Sequence, residues 1–176
     1  RALREFVRQL VSGSQSASPV LSAGGANFRC HRDRIFLVPE PRLTERTSSE
    51  SQVWQGSELS VRGPDIVVTT RSTRTRGLSA ELFREGTVEL RWRRGRQTVR
   101  PIGRGRHRRS LRKLLQESDL PPWQRERIPL VFINGRFAAM PQVVVDESCT
   151  AGAGERTIEI QIRDLRKEER PENDPL

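Results

Sequence analysis

The residues from Arg91 to Lys113 are the most strongly charged part of this sequence. Eleven of these 23 residues are Arg or Lys, and none is Asp or Glu. Such a run repels itself unless something anionic lies against it. The rest of the chain must therefore provide a scaffold for the run, and a partner must neutralise it.

The composition of the 176 residues agrees with a polyanionic partner. The net charge is +10 and most cations are arginines, whose planar guanidinium donates two parallel hydrogen bonds to phosphate. Nucleic acid is the favoured partner class, with an anionic membrane surface a distant second. No apolar run approaches the roughly 18 residues that span a bilayer, and no signal peptide is recognisable. We expect a cytoplasmic protein and no membrane partner.

Apolar periodicity predicts an α+β fold in two parts. Residues 1–40 have the pattern of a helix followed by a β-hairpin, and we interpret them as the end of a first small domain. Residues 41–52 are polar and predict a linker. Residues 53–163 predict the main domain, a small mixed or antiparallel sheet with one or two short helices. Residues 164–176 are highly charged and predict a frayed or disordered tail.

Four elements of the main domain have clear signals. Residues 87–93 alternate as a strand whose apolar side is packed, so the basic run is expected to begin on the solvent face of a sheet. Ser110 is a plausible N-cap for a helix at 111–118 that buries a leucine stripe. A hairpin turns at 134–135, an Asn-Gly pair suited to a type I′ turn. Residues 157–163 predict a final strand.

Other stretches predict loops or carry no recognisable chemistry. Residues 14–25 and 71–77 lack strand or helix periodicity and are expected to be loops. Ser22 to Gly25 superficially suggests a phosphate-binding loop, but no strand precedes it and no helix follows in the sequence pattern. Cys30 and Cys149 have no ligand-spaced neighbours and are expected to be buried free thiols. We therefore expect no catalytic residue, no metal ligand and no cofactor in this chain.

The segment from Gly103 to Lys113 is the best candidate for binding phosphate. A helix N-terminus carries a partial positive charge and prefers anions, yet Arg112 and Lys113 fall in the first turn of the predicted helix. A phosphate at that place would meet backbone N–H groups and several arginines together, and Gly103 and Gly105 would let the backbone come close. The alternative is a solvated basic loop without a ligand.

The candidate RNA contacts fall into three groups. The primary group lies just before the predicted helix and in its first turn, and a second group lies on or just past the strand at 87–93. A weaker group follows the helix. The alternative role of this weaker group is structural, through ion pairs with Glu117 or Glu126. In that order the candidates are Arg104, Arg106, Arg108, Arg109, Arg112 and Lys113, then Arg91, Arg93, Arg94 and Arg96, then Arg125 and Arg127.

The mode of recognition is expected to be contact with phosphates and with helix shape. Trp54, Trp92 and Trp123 are interpreted as core anchors, since large aromatic side chains usually bury their area. The sequence contains no Tyr and no aromatic sheet motif of the kind that reads single-stranded bases. A double-stranded RNA stem is the better match to this mode of recognition, although composition alone does not separate RNA from DNA.

Two ordered segments carry a family resemblance. One reads Arg-Ser-Leu-Arg-Lys-Leu-Leu-Gln-Glu from Arg109 to Glu117, and the other reads Leu-Pro-Pro-Trp-Gln-Arg-Glu-Arg-Ile-Pro-Leu-Val from Leu120 to Val131. This region resembles the C-terminal domain of bacterial tRNA(Ile)-lysidine synthetases, which typically reads S-L-K-K-L-x-Q-E and then V-P-P-W-x-R-x-R-x-P-L. This sequence departs from the pattern at Gln124, where Leu is common.

The resemblance implies a share in a tRNA modification. Enzymes of the family use ATP and Mg to adenylate the wobble cytidine of an isoleucine tRNA and then add lysine. That ligase chemistry belongs to an N-terminal domain with an S-G-G-x-D-S loop, which this sequence lacks. Since the chain starts at Arg1 and its single methionine is Met140, we expect a fragment without the catalytic domain, inactive by itself.

The expected role of the chain is to hold the tRNA body. The resemblance implies two partners, an isoleucine tRNA bound at its acceptor stem and the N-terminal catalytic domain of the same protein. A homodimer is also possible. The alternative function is a non-catalytic interaction or regulatory domain whose basic face binds an acidic protein or another nucleic acid.

Overall fold

The chain forms two compact units, residues 1–44 and 45–176. The computed structural model describes residues 2–12, 19–32, 34–39, 51–56, 58–61, 66–73, 75, 77–92, 96–103, 105, 107–152 and 154–164. Most of the predicted linker and nearly all of the predicted tail lie outside the described residues. Each unit is considered separately below.

The first unit contains a helix and a three-stranded antiparallel sheet. The predicted helix is confirmed as α1, Ala2–Ser12. The sheet has the order β1-β2-β3 and consists of β1 Val20–Ala23, β2 Ala26–His31 and β3 Arg34–Pro39. The loop predicted for 14–25 is wrong at β1, which pairs with β2 across a turn at two glycines with φ of 60° and 73°. The Ser22–Gly25 segment is thus part of a hairpin.

The apolar stripe of α1 is covered only in part. Phe6 is buried, whereas Leu3, Val7 and Val11 expose 62%, 48% and 84% of their surface. The polar side of the helix is ordered by Arg8, which donates to Glu5 with an Nη2–Oε1 distance of 2.7 Å. These bonds hold the pKa of the Glu5 carboxyl below its usual value.

The second unit contains eleven strands, three α-helices and a 3-10 helix among its described residues. The strands are β4 Gln52–Trp54, β5 Glu58–Val61, β6 Ile66–Thr73, β7 Leu78–Ser79, β8 Val88–Arg91, β9 Thr98–Val99, β10 Arg109–Ser110, β11 Leu130–Ile133, β12 Arg136–Met140, β13 Val144–Val145 and β14 Thr157–Asp164. The helices are α2 Ala80–Glu85, α3 Leu111–Glu117, α4 Pro122–Arg125 and the 3-10 helix Glu147–Cys149. The predicted α+β class is confirmed.

Two antiparallel sheets organise the second unit. One has five strands in the order β13-β12-β11-β8-β4, and the other has four in the order β5-β6-β14-β7. In the second sheet β6 and β14 pair along their whole length, from Ile66 opposite Asp164 to Thr73 opposite Thr157. The short strands β9 and β10 pair separately.

The five-stranded sheet has a hydrophobic core on each face. In β11, Val131 and Ile133 belong to a core shared with the four-stranded sheet, whereas Leu130 and Phe132 point to the opposite face. There they meet α3 and the end of β12. The members of this second core are Leu111, Leu115, Ile128, Leu130, Phe132 and Met140. The sheet is therefore covered by the four-stranded sheet on one side and by α3 on the other.

Several sequence predictions are confirmed and others are wrong. The leucine stripe of α3 is buried at Leu111, Leu114 and Leu115, and the Asn134–Gly135 turn has φ of 50° and 74°, both positive as a type I′ turn requires. The strand β6 continues to Thr73, so the predicted loop at 71–77 is wrong at its start. The helix α2 had not been predicted.

Gly77 lies where the chain passes closest to β14. A Cβ atom placed on it would lie 2.5 Å from the carbonyl oxygen of Ile158. We expect Gly77→Ala to lower the free energy of unfolding by about 1–3 kcal/mol because buried backbone must shift. Urea denaturation checks this against Gly152→Ala, whose Cβ would meet only the movable carboxylate of Glu155 at 3.3 Å. Equal losses in the two variants would contradict the steric explanation.

Candidate nucleic-acid interface

The basic residues 100–108 form a loop whose two ends are tied together. Val99 in β9 lies opposite Arg109 in β10, and Thr98 lies opposite Ser110. One residue further on, the N–H of Leu111 donates to the carbonyl oxygen of Gln97 at 2.9 Å. These hydrogen bonds attach the start of α3 to β9 and to Gln97, the residue before it. The loop, named here the basic loop, therefore projects from a fixed base.

A buried carboxylate fastens the beginning of the basic loop to the neighbouring chain. Asp146 is only 7% exposed. It accepts hydrogen bonds from the backbone N–H of Arg100 at 2.9 Å, from the N–H of Ser148 at 3.0 Å and from the Ser148 hydroxyl at 2.7 Å. The N–H of Glu147 donates back to the carbonyl oxygen of Arg100 at 2.8 Å. Sequence reasoning missed Asp146 because the backbone N–H of Arg100, which it anchors, lies 46 positions away.

Four of the predicted contacts are exposed cations. They are Arg96, Arg108, Arg112 and Lys113. Among the described residues, none of the four has an ion pair or a side-chain hydrogen bond. Like charges on adjacent turns and loops repel each other when no carboxylate lies between them. An approaching anion would relieve that repulsion.

The helix start differs from the prediction in its details. Ser110 occupies the N-cap position, but its side chain makes no capping hydrogen bond, and α3 has only seven residues. The first N–H of α3 is already bonded to Gln97. The side chains of Arg112 and Lys113, more than the helix terminus itself, therefore provide the anion-binding capacity of this place.

Two other predicted contacts are engaged within the fold. Arg109 is half-buried and pairs through Nη2 with a carboxylate oxygen of Glu117 at the other end of α3. Arg91 donates to Glu89, with an Nη2–Oε2 distance of 2.7 Å, and its Cζ lies 4.3 Å from the ring centroid of Phe132. The expectation that Arg91 stands on a solvent face holds only in part, because this face of the sheet carries the second core and the Arg91 side chain is 38% exposed.

The remaining candidates divide into partly buried and undescribed residues. Arg125 is half-buried, and its Nε–H donates to the carbonyl oxygen of Leu120 at 2.6 Å. Arg127 is also half-buried and interacts within the fold. The other four predicted contacts lie outside the described residues. They are Arg93, Arg94, Arg104 and Arg106.

The family of this region follows from comparison with known proteins. A family model described as the TilS substrate C-terminal domain matches residues 88–162. Residues 88–162 form a TilS substrate C-terminal domain. The match runs from the beginning of β8 into β14, so the TilS domain contains the basic loop, α3 and the second hydrophobic core. The resemblance to lysidine synthetases is thereby confirmed.

Individual relatives match well beyond the TilS domain. The tRNA(Ile)-lysidine synthase of Methylococcus capsulatus is 29% identical over 157 residues, covering 89% of this chain and 35% of that protein. The enzyme of the same name from Pectobacterium atrosepticum is 30% identical over 78% of this chain and 30% of its own length. That of Serratia proteamaculans is 29% identical over 88% and 34%. This chain spans about a third of the length of the curated relatives it matches.

The aromatic anchors of the TilS domain and its surroundings are buried to different degrees. Trp54, just before the domain, is 3% exposed and meets Phe83 edge to face, with ring centroids 5.0 Å apart. Trp92 and Trp123 are half-buried. The Nε1 atoms of Trp54 and Trp92 are buried and have no hydrogen-bond partner among the described residues. The interpretation as core anchors thus holds fully for Trp54.

The thiols and possible metal ligands show no reactive arrangement. Cys149 is buried, and burial raises the pKa of its thiol. Cys30 is half-buried, so the expectation of two buried thiols is wrong for this residue. Within the described residues no group of three or more His, Cys, Asp or Glu side chains could hold a metal ion. None of the described helices is long and apolar enough to cross a bilayer.

Proposed function

We propose that this chain is the tRNA-binding C-terminal part of a tRNA(Ile)-lysidine synthase. The basic loop and α3 bind phosphates of the tRNA body, with the acceptor stem of an isoleucine tRNA as the preferred region. A catalytic domain elsewhere in the same protein supplies the ATP- and Mg-dependent addition of lysine, in the cytoplasm. The chain alone binds tRNA and does not modify it.

The observation that carries this proposal is the division of the basic residues into two classes. Arg91 and Arg109 are held by Glu89 and Glu117. By contrast, the four exposed predicted contacts, Arg96, Arg108, Arg112 and Lys113, have no carboxylate partner among the described residues. Charges that only improved solubility would gain from neighbouring carboxylates, since alternating signs lower repulsion. A continuous group of unpaired cations is the electrostatic footprint of nucleic-acid binding.

The fixed base of the loop favours binding as well. The β9–β10 pairing holds one end, and the bonds to Asp146 hold the other. A ligand that binds a preorganised loop loses less free energy to ordering than one that must fold a flexible segment. The described ends of the loop are therefore already ordered when a phosphate backbone binds.

A salt titration of tRNA binding tests the proposed function. Each neutralised phosphate contributes about −0.9 to the slope of log K against log salt concentration, so four exposed cations predict a slope of about −3 to −4. Fluorescence anisotropy with labelled isoleucine tRNA measures the slope between low and physiological salt. A slope near zero, or no binding at low salt, would refute the proposal.

Competition distinguishes the RNA proposal from a general polyanion site. Unlabelled tRNA should displace the labelled tRNA at lower concentration than duplex DNA of equal phosphate content, because A-form and B-form backbones space their phosphates differently. Equal displacement by DNA, or stronger displacement by an acidic polypeptide, would favour the alternative of a basic interaction domain.

A further inference from the structure

The face of the five-stranded sheet that carries α3 is not covered along its whole width. The second core beneath α3 takes its sheet residues from β11 and β12. Beside it, Val53 of the edge strand β4 is 53% exposed, and Glu89 and Arg91 of β8 are half-buried. The β8 side of this face is therefore open, and it lies next to the start of α3.

A cavity of about 330 Å³ occupies this opening. Leu130 and Phe132 of β11 contribute apolar surface, Arg91 contributes a planar guanidinium, and Gln97 contributes an amide. Within it the Arg91 guanidinium lies over the Phe132 ring, as described above. The cavity thus combines flat stacking surfaces with polar edges.

The polar groups of the cavity are complementary to a heterocycle with both donors and acceptors. Glu89 accepts hydrogen bonds, Arg91 donates them, and the amide of Gln97 can do both. Nucleobases stack on aromatic rings and on arginine guanidinium planes and are read along their polar edges.

The position of the cavity connects it to the phosphate-binding cations. Gln97 follows the exposed Arg96 in sequence, and its carbonyl oxygen accepts the N–H of Leu111. Arg112 and Lys113 begin one residue beyond that bond. A base in the cavity would therefore have cations on both sides for the phosphates of its own nucleotide and its neighbour.

We propose that this cavity receives one unpaired base of the bound RNA, such as a base of the single-stranded 3′ end. The inference rests on the proposed function and adds a base-binding site to the phosphate contacts. It also revises the expectation that bases are not contacted. Arg91 supplies the stacking plane, Glu89 and Phe132 hold that plane in position, and the amide of Gln97 bonds the edge of the base.

An RNA hairpin with three kinds of end tests the inference. The stem is blunt, or ends in a four-nucleotide 3′ overhang, or ends in an overhang of four abasic nucleotides that keeps the phosphates. The full chain should bind the normal overhang about fivefold or more tighter than the abasic one, since stacking of one base is worth at least that factor. The slope of log K against log salt concentration should be nearly the same for the normal and the abasic overhang, because both carry the same phosphates.

Substitutions assign the preference to the cavity. Arg91→Lys keeps the charge but removes the guanidinium plane, and should abolish the preference for normal over abasic overhang. Arg84→Lys is the matched control, because Arg84 also pairs with a carboxylate, that of Glu85 at 3.1 Å, yet lies outside the cavity, the basic loop and α3. Gln97→Ala is a second test, since the backbone and not the side chain of Gln97 bonds α3.

Each outcome separates the inference from the proposed function. Equal affinity for normal and abasic overhangs, with salt-dependent binding retained, overturns the cavity and leaves the phosphate contacts standing. A preference that survives both Arg91→Lys and Gln97→Ala also overturns it. Absence of binding to all three RNAs overturns the proposed function, and the inference with it.

Discussion

Replacing Arg108, Arg112 and Lys113 together with alanine is expected to weaken tRNA binding roughly a hundredfold at 0.1 M salt, since each phosphate contact contributes about 0.9 log unit per tenfold change in salt. The slope of the salt titration should fall by about 3, close to one for each lost contact. The fold should persist, because these side chains are exposed and unpaired among the described residues. Anisotropy titrations and thermal unfolding measure the two effects.

The matched control is a triple alanine variant at Arg71, Arg136 and Arg156. These residues are also exposed, belong to the same unit and lie outside the basic loop and α3. The control lowers the net charge by the same amount, so it reproduces any loss caused by general electrostatic attraction. If both triple variants weaken binding equally, the cations of the loop and helix have no special role.

Replacing Asp146 with alanine is expected to lower the free energy of unfolding by about 2–4 kcal/mol, because buried hydrogen-bonding groups are left without partners. The N–H of Arg100 loses its acceptor, and the base of the basic loop keeps only backbone bonds, such as that from Glu147 to the Arg100 carbonyl oxygen. Hydrogen exchange at the Arg100 amide should accelerate, and tRNA affinity should fall even though no exposed cation has been removed. Chemical denaturation and amide exchange measure these results.

Ser148→Ala is the control for the Asp146 substitution. It removes only the hydroxyl donor at 2.7 Å and leaves both backbone N–H groups bonded to the carboxylate. The free energy of unfolding should fall by about 1 kcal/mol. The Arg100 amide should remain protected from hydrogen exchange, and tRNA affinity should be unchanged. Continued protection of the Arg100 amide in Asp146→Ala would show that the carboxylate does not hold the loop.

The elements predicted correctly from sequence are those whose signals are local. The stripe of Leu111, Leu114 and Leu115 follows helical spacing, and the Asn134–Gly135 pair specifies its own turn. The helix α2 was missed because six residues are too few for a periodic pattern. Its one local signal was Ser79, whose side chain accepts the N–H of Leu82 at 3.1 Å and is a favoured N-cap residue. The strand β1 was missed because Ser22 and Ala23 are small and weakly apolar.

The sequence located the candidate site, but it did not separate the exposed, unpaired cations from the arginines that pair within the fold. The basic run and the helix start identify the region, and charge alone gives every arginine the same role. Arg109 forms an ion pair with Glu117, eight positions away, only because β10 leads directly into α3. The Arg91 guanidinium contacts the Phe132 ring only because β8 and β11 are neighbouring strands, with Glu89 opposite Phe132 in the register. Such pairings depend on tertiary structure and have no sequence period.

The central place of β14 in its sheet affects how the chain is made. This strand lies between β6 and β7, yet it leaves the ribosome after every other described strand. Until then Val68 and Leu78 lack the isoleucines that cover them, and the sheet cannot close. Pairing of such distant segments is slow because a long loop must be ordered first. The basic loop therefore leaves the ribosome before the unit that supports it is complete.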